Sequence, residues 1–289
     1  MKFGIYYAFW ENQWGGDYVK YVKKVGKLGF DILEISCAGL AEMPAGKVKA
    51  LAAAAADSGI EMTGSYGPKP EENIASPDPK IVANGFEFWK RTFDVLARLN
   101  INRVGGGIYS YWPVDFGKPF NKKEDLKRSI RETKKLSSLA SEFNITLTME
   151  VLNRFEGYLL NTAEEALSFV KAISRDNVKI MLDTFHMNIE EFSIIEAIKT
   201  AGKHLGHFHV GEPNRLPPRA GSRMDWPAIG KALREVGYTE AVIMEPFVLQ
   251  GGQVGQDIKV WRNLLPTGVK DLDDAARKSL EFIKKSFKA

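Results

Sequence analysis

The chain repeats one unit, a short apolar β-rich run followed by a longer amphipathic, charged run. Eight strand candidates can be read: Phe3–Ala8, Asp31–Ser36, Glu61–Tyr66, Arg103–Ile108, Thr146–Val151, Val178–Thr184, Leu205–Val210 and Ala241–Pro246. Helical patterns lie between them, over Asp17–Leu28, Gly46–Ser58, Pro79–Leu99, Lys122–Phe143, Ala163–Ile173, Ser193–Ala201 and Trp226–Val236. A last helix, about Leu272–Phe287, follows the eighth strand. Strands alternating with helices predict parallel βα units. Eight such units predict an α/β fold of the closed (β/α)8 type, with the site at the C-terminal face of the strands. No linker-like or low-complexity stretch interrupts the pattern, so one domain over residues 1–289 is expected.

Helix ends carry matching signals. Asp17, Ser76 and Thr162 are expected N-caps, because a short polar side chain there accepts an unpaired N–H of the first turn. Gly29, Gly59 and Gly237 fall where a helix ends in left-handed backbone, which glycine adopts without a Cβ clash.

Composition removes several function classes. Hydrophobic residues make up 44% of the chain and charged residues 26%, enough apolar material for a large core. The net charge of +4 arises from 40 basic and 36 acidic residues scattered along helices, so no nucleic-acid partner is expected. No apolar run approaches the ~18 residues of a membrane helix. No signal peptide is read at the start of the sequence, which enters a strand-like run at once. The single cysteine, Cys37, excludes an intrachain disulfide and suits a reducing cytoplasm. It follows an apolar run, as a buried inert thiol would.

Four consecutive strands end in a residue type that binds metals: Glu150, Asp183, His209 and Glu245. Successive strand side chains alternate in direction, so all four can point into the barrel mouth. Neighbouring strands are about 4.8 Å apart, close enough for the four to reach one ion. Three carboxylates would repel one another without a cation. Three carboxylates and an imidazole suit Mn2+ and Mg2+ best, with Co2+ also fitting and Zn2+ admitted by the ligand types. His207 should point the same way one layer deeper, in a packing or supporting role, and Thr148 stands in the same relation to Glu150. His204, near a helix end, is expected in solvent. The long connections Trp10–Gly16, Tyr109–Asn121 and Gly211–Asp225 all follow strands and therefore surround this mouth.

Longer motifs accompany these residues. Glu150-Val-Leu-Asn-Arg-Phe-Glu156, Leu182-Asp-Thr-Phe-His-Met-Asn188, His207-Phe-His-Val-Gly-Glu212 with Asn214-Arg215, and Met244-Glu-Pro-Phe247 resemble the ketose 3-epimerase family. The opening Gly4-Ile-Tyr-Tyr7 with Trp10 and Trp14, and Tyr109-Ser-Tyr-Trp-Pro113, fit as well, so the resemblance covers essentially the whole chain. It implies that Glu150, Asp183, His209 and Glu245 hold one divalent metal per subunit, usually Mn2+ or Co2+. It implies that Glu150 and Glu245 double as the acid/base pair. One glutamate would remove the C3 proton beside the C2 ketone, and the other would return a proton on the opposite face of a cis-enediolate. Glu156, His186 and Arg215 would hold the O1–O3 end of the sugar, and Tyr6, Trp14, Trp112 and Phe247 the apolar wall. Homodimers or homotetramers are expected on the same ground.

Two positions depart from the family pattern. Tyr66 is bulkier than the residue usual at the third strand end, and Gly107 stands where a small aliphatic is also seen. Both should touch the distal C4–C6 end of the sugar. They leave D-psicose/D-fructose, D-tagatose/D-sorbose and L-ribulose/L-xylulose open as substrate pairs. The rival readings are an aldose–ketose isomerase on the same barrel, a zinc endonuclease and a sugar-binding barrel without catalysis. The first often uses two metals and more carboxylates. The second needs more than the four histidines present.

Overall fold

The computed structural model describes residues 1–288. Eight parallel strands close into a barrel in chain order: β1 (Lys2–Tyr6), β2 (Ile32–Ser36), β3 (Glu61–Ser65), β4 (Arg103–Gly106), β5 (Thr146–Glu150), β6 (Val178–Asp183), β7 (Leu205–Val210) and β8 (Ala241–Met244). The strands alternate with α1 (Tyr18–Leu28), α2 (Ala45–Ser58), α3 (Pro79–Arg98), α4 (Lys122–Glu142) and α5 (Ala163–Ile173). Next come α6 (Thr184–Glu190) and α7 (Ile194–Ala201) between β6 and β7, then α8 (Trp226–Glu235), α9 (Gly252–Ile258) and α10 (Val269–Ser286). No helix among the described residues is long and apolar enough to cross a membrane.

The helices lie outside the barrel because each carries one apolar face. Trp89 and Phe93 of α3, Phe169 of α5 and Trp226 of α8 are fully buried. Strand residues that face them are apolar, such as Leu33, Ile35, Leu147, Leu182, Phe208 and Val242. The inward positions, every second residue, are unusually polar: Glu34 and Ser36, Thr63 and Ser65, Thr148 and Glu150, His207 and His209.

Asp17 and Thr162 cap α1 and α5, accepting N–H bonds from Lys20 and Glu165. The expectation for Ser76 is corrected: Asp78 caps α3, accepting from the Lys80 N–H at 2.8 Å, while the Ser76 hydroxyl accepts from the N–H of Asp78, two residues further on. Gly29 and Gly59 end their helices in left-handed backbone, with φ 86° and 63°. His204, expected in solvent, is half-buried beside β7. Cys37 is fully buried.

Strands end earlier than their apolar runs. β1 gives way at Tyr7 to a turn of 3-10 helix, and β6 passes directly into α6 at Thr184. β4 stops at Gly106, whose φ of 110° turns the chain against the Tyr66 carbonyl. A Cβ at Gly106 would lie 2.2 Å from that oxygen. Gly106→Ala is therefore expected to cost about 3 kcal/mol of unfolding free energy in urea denaturation, since both strain and a backbone clash must be relieved. A loss under ~0.5 kcal/mol, the range of an ordinary surface change, would contradict this account.

Candidate metal and sugar site

The register of the last strands sets the mouth. β6 and β7 pair Ile180 with Leu205 and then Met181 with His207, so a bulge leaves Gly206 unmatched. That slip brings Asp183 opposite His209. A Cβ on Gly206 would lie 2.5 Å from the Lys179 Cβ, which explains the glycine at the bulge. Glu150 ends β5, and Glu245 follows β8 with its N–H donating to the Val210 carbonyl at 3.1 Å.

The four side chains converge. Each of Glu150, Asp183, His209 and Glu245 offers a ligand atom within 4.8 Å of the others, and all four are buried. His209 Nδ1 lies 3.5 Å from Glu245 Oε1 and 3.9 Å from Asp183 Oδ2, and makes no hydrogen bond. Its other nitrogen, Nε2, sits 2.6 Å from a carboxylate oxygen of Glu34. A buried imidazole nitrogen without a partner, aimed at three carboxylates, is the donor set of a divalent-cation site. The residues fit a bound metal ion.

The electrostatics point the same way. Burial, reinforced by the charge of Glu245, pushes the Glu150 carboxyl well above the usual range, against the pull of His209 and Arg215. Burial disfavours a charged His209, but Glu34 and Glu245 outweigh it and hold the imidazole well above its ordinary value. Both perturbations reflect excess negative charge packed out of water.

Arg215 lies over this cluster. Its Nη1 is 3.0 Å from Glu245 Oε2 and 3.4 Å from Asp183 Oδ2, and its Nη2 is 3.6 Å from Glu156 Oε1. The guanidinium stacks over Phe185 at 3.7 Å. Its backbone is left-handed, with φ 64°, and its carbonyl accepts from the Phe247 N–H. Glu212 ties down the rest of this loop by accepting from the Ser222 hydroxyl, the Arg219 N–H and the Trp226 indole.

His186 stands in the first turn of α6, opened when Asp183 Oδ1 accepts the Phe185 N–H at 2.6 Å. Burial pushes the His186 imidazole down to about 3, so it is neutral at pH 7. Its Nδ1 accepts from the Asn153 N–H at 3.1 Å, which leaves the proton on Nε2, 3.7 Å from Glu150 Oε1. The Asn153 side chain also donates to Glu156 at 3.0 Å, and the Trp112 indole donates to Glu156 at 3.2 Å.

Above the cluster lies a cavity of about 280 Å³. Tyr6, Trp14, Tyr66, Gly107, Trp112, Glu156, His186, Arg215 and Phe247 all line it, together with Glu150 and Glu245. Asp183 and His209 lie beneath its floor. Trp14 meets Trp112 and Phe247 edge-on, with ring centres 6.1 and 6.2 Å away. Tyr66 is drawn aside: its hydroxyl donates to Glu72 at 2.7 Å and its ring stacks on Phe88. The bulk noted from the sequence is thus partly removed from the cavity.

Sequence reasoning missed three features. Glu34 is the largest omission, although a lone glutamate inside the apolar run Ile32–Ser36 was a visible signal. Asp257 and Ile258 of α9 also line the cavity, and Asp257 accepts from the Trp14 indole at 2.7 Å. Ser36, Ala38, Ser65, Gly67 and Lys69 also line the wall. No pattern marked the segment after β8 as a wall, because its role comes from its contacts with residues 12–14.

Fold and buried cluster together define the class: the chain belongs to the xylose isomerase-like TIM barrel family, whose sequence profile matches residues 22–286. Within that class it stands with proteins named D-psicose 3-epimerase. The one from Enterocloster bolteae is 49% identical over 290 residues, covering 99% of this chain and 96% of the relative. A solved structure of D-psicose 3-epimerase with D-tagatose, from Clostridium cellulolyticum H10, superposes with a TM-score of 0.97 at 47% identity, covering 99% of both chains. A D-psicose 3-epimerase structure determined in the presence of D-fructose gives 0.98 at 45% identity, covering both chains fully.

Mn2+ added to cation-stripped protein at about a hundredfold its Kd is expected to add about 2.7 kcal/mol of stability. That corresponds to a rise of roughly 5 °C in Tm for a chain of this size. Asp183→Asn should remove most of the rise; an unchanged Tm in the parent protein would argue that the cluster holds no cation.

Proposed function

We propose that the protein is a divalent-metal-dependent ketose 3-epimerase that interconverts free ketohexoses at C3, D-fructose with D-psicose and D-tagatose with D-sorbose. The observation that carries this reading is the placement of two glutamates on one buried cluster. β5 and β8 are three strands apart around an eight-strand barrel, so Glu150 and Glu245 reach the centre from well-separated sides. Inversion at carbon needs two proton-transfer groups on opposite faces. The similarity to the D-psicose 3-epimerases supports the same reading.

In this proposal Glu150, Asp183, His209 and Glu245 hold one ion, Mn2+ by preference, with Co2+ or Mg2+ as alternatives. When bound, the ion supplies Lewis acidity toward negative charge developing on substrate oxygen. One glutamate removes the weakly acidic C3 proton and the other protonates the opposite face. His186, neutral with its proton on Nε2, donates a hydrogen bond to a sugar oxygen near the reacting carbon. Arg215 and Glu156, already locked together, orient the O1–O3 end. Tyr6, Trp14, Trp112 and Phe247 supply an apolar wall that excludes water and limits exchange of the abstracted proton. Tyr66 and Gly107 bound the distal end of the sugar.

All 289 residues act as one catalytic domain in this reading. Assembly as a homodimer or homotetramer is part of the proposal and rests on the resemblance to the ketose 3-epimerases. A reducing, cytoplasmic setting is supported by the single buried thiol.

Incubating the Mn2+-loaded enzyme with D-fructose in D2O should yield D-psicose carrying deuterium at C3. Glu150→Gln and Glu245→Gln are each expected to lower turnover about 10³-fold. Retention of more than about a tenth of the activity in either variant would remove that glutamate from the mechanism. Deuterium at C1 or C2 with an aldose product would instead make the protein an isomerase.

A further inference from the structure

Beneath the cluster, Glu34 spans the barrel interior. It is fully buried on β2, yet two of its contacts lie on β7, three strands away around the barrel through β1 and β8. Its Oε1 is 2.6 Å from His209 Nε2. Its Oε2 is 2.7 Å from His207 Nε2 and accepts from the Thr63 hydroxyl at 2.8 Å. Both carboxylate oxygens are therefore occupied, and neither faces the cavity.

An ionised carboxylate only accepts hydrogen bonds. A neutral His209 beside it must carry its proton on Nε2, which leaves the Nδ1 lone pair directed at Asp183 and Glu245. The Thr63 hydroxyl bonds the second oxygen and His207 Nε2 packs against it, which restrains rotation of the carboxylate away from His209. Were the tautomer reversed, Nδ1–H would point a proton at the ion.

We propose that Glu34 is a positioning residue for the metal site, orienting the His209 ring and fixing its tautomer so that Nδ1 is the ligating atom, with His207 and Thr63 holding Glu34 in place. This rests on the reading of Glu150, Asp183, His209 and Glu245 as the cation's ligands. Glu34 does not line the cavity, so it would act through His209. A carboxylate behind a ligating histidine raises its basicity as well as orienting it, and removal of such a partner weakens metal binding about 10- to 100-fold.

Two measurements test this. In the Mg2+- or Zn2+-loaded parent protein with 15N-labelled histidine, the ring nitrogens of His209 are expected to show a proton on Nε2 and none on Nδ1. A proton on Nδ1 overturns the proposal, whatever any variant does. In parallel, Mn2+ affinity is measured by calorimetry on cation-stripped parent, Glu34→Gln and, as a control for the same change at an exposed glutamate of α3, Glu87→Gln. The circular dichroism of each protein is checked first. Glu34→Gln should bind Mn2+ about 10- to 100-fold more weakly than the parent, and Glu87→Gln like the parent. Equal affinity in folded Glu34→Gln and parent overturns the positioning role and leaves the ligand assignment standing. Absence of Mn2+ binding by the parent protein overturns both.

Discussion

The structure depends on gathering like charges out of water. Glu150, Asp183 and Glu245 end three strands at one height, with a fourth carboxylate, Glu156, at the rim. In a buried setting such groups repel strongly and favour protonation. The protein answers with a few well-placed positive or ligating groups. Arg215 reaches three of the acids, and His209 faces two of them with an unpartnered nitrogen. A cation completes the balance. The strained left-handed backbone of Arg215 belongs to this arrangement, because its loop must turn the guanidinium down onto the cluster.

Around that centre, rigidity comes from contacts that lie outside the reacting zone. The Asn153 backbone sets the His186 tautomer, Asp183 opens the helix that carries His186, and Glu212 pins the loop that carries Arg215. Trp112 and Asn153 both hold Glu156. The aromatic wall is held similarly: Trp14 is tied to Asp257 across two loops that also exchange the Val254 N–H to Asn12 carbonyl bond. Each reactive group thus sits at the end of a short hydrogen-bonded chain, and preorganisation of this kind is what makes buried electrostatics effective in catalysis.

Much of this was legible before any coordinates. The alternation of apolar and amphipathic runs reports a parallel barrel, because a strand buried on both faces must be apolar on its outer side and its crossover helix must bury one stripe. The four convergent residues were readable because each polar residue ends an apolar run, and strand geometry leaves it one direction to point. Strand ends were less legible. Ile108, Thr184 and Pro246 continue apolar or β-like runs, yet the chain turns before them, for reasons as local as the φ of Gly106 or the Asp183 cap on α6. Ser76 was a reasonable cap by type, but Asp78, immediately before Pro79, competes better.

Sequence alone determined the barrel, its order of elements and the set of residues at the mouth, since these follow from periodicity and from residue type at strand ends. Only the tertiary structure decided which distant groups meet. Glu34 and His209 are 175 residues apart, and Trp14 and Asp257 are 243 apart. Likewise, only packing showed that Tyr66 leans away toward Glu72 and Phe88, and that a bulge at Gly206 aligns Asp183 with His209. The physical reason is that barrel closure brings far strands together, whereas sequence patterns report only each element's own faces.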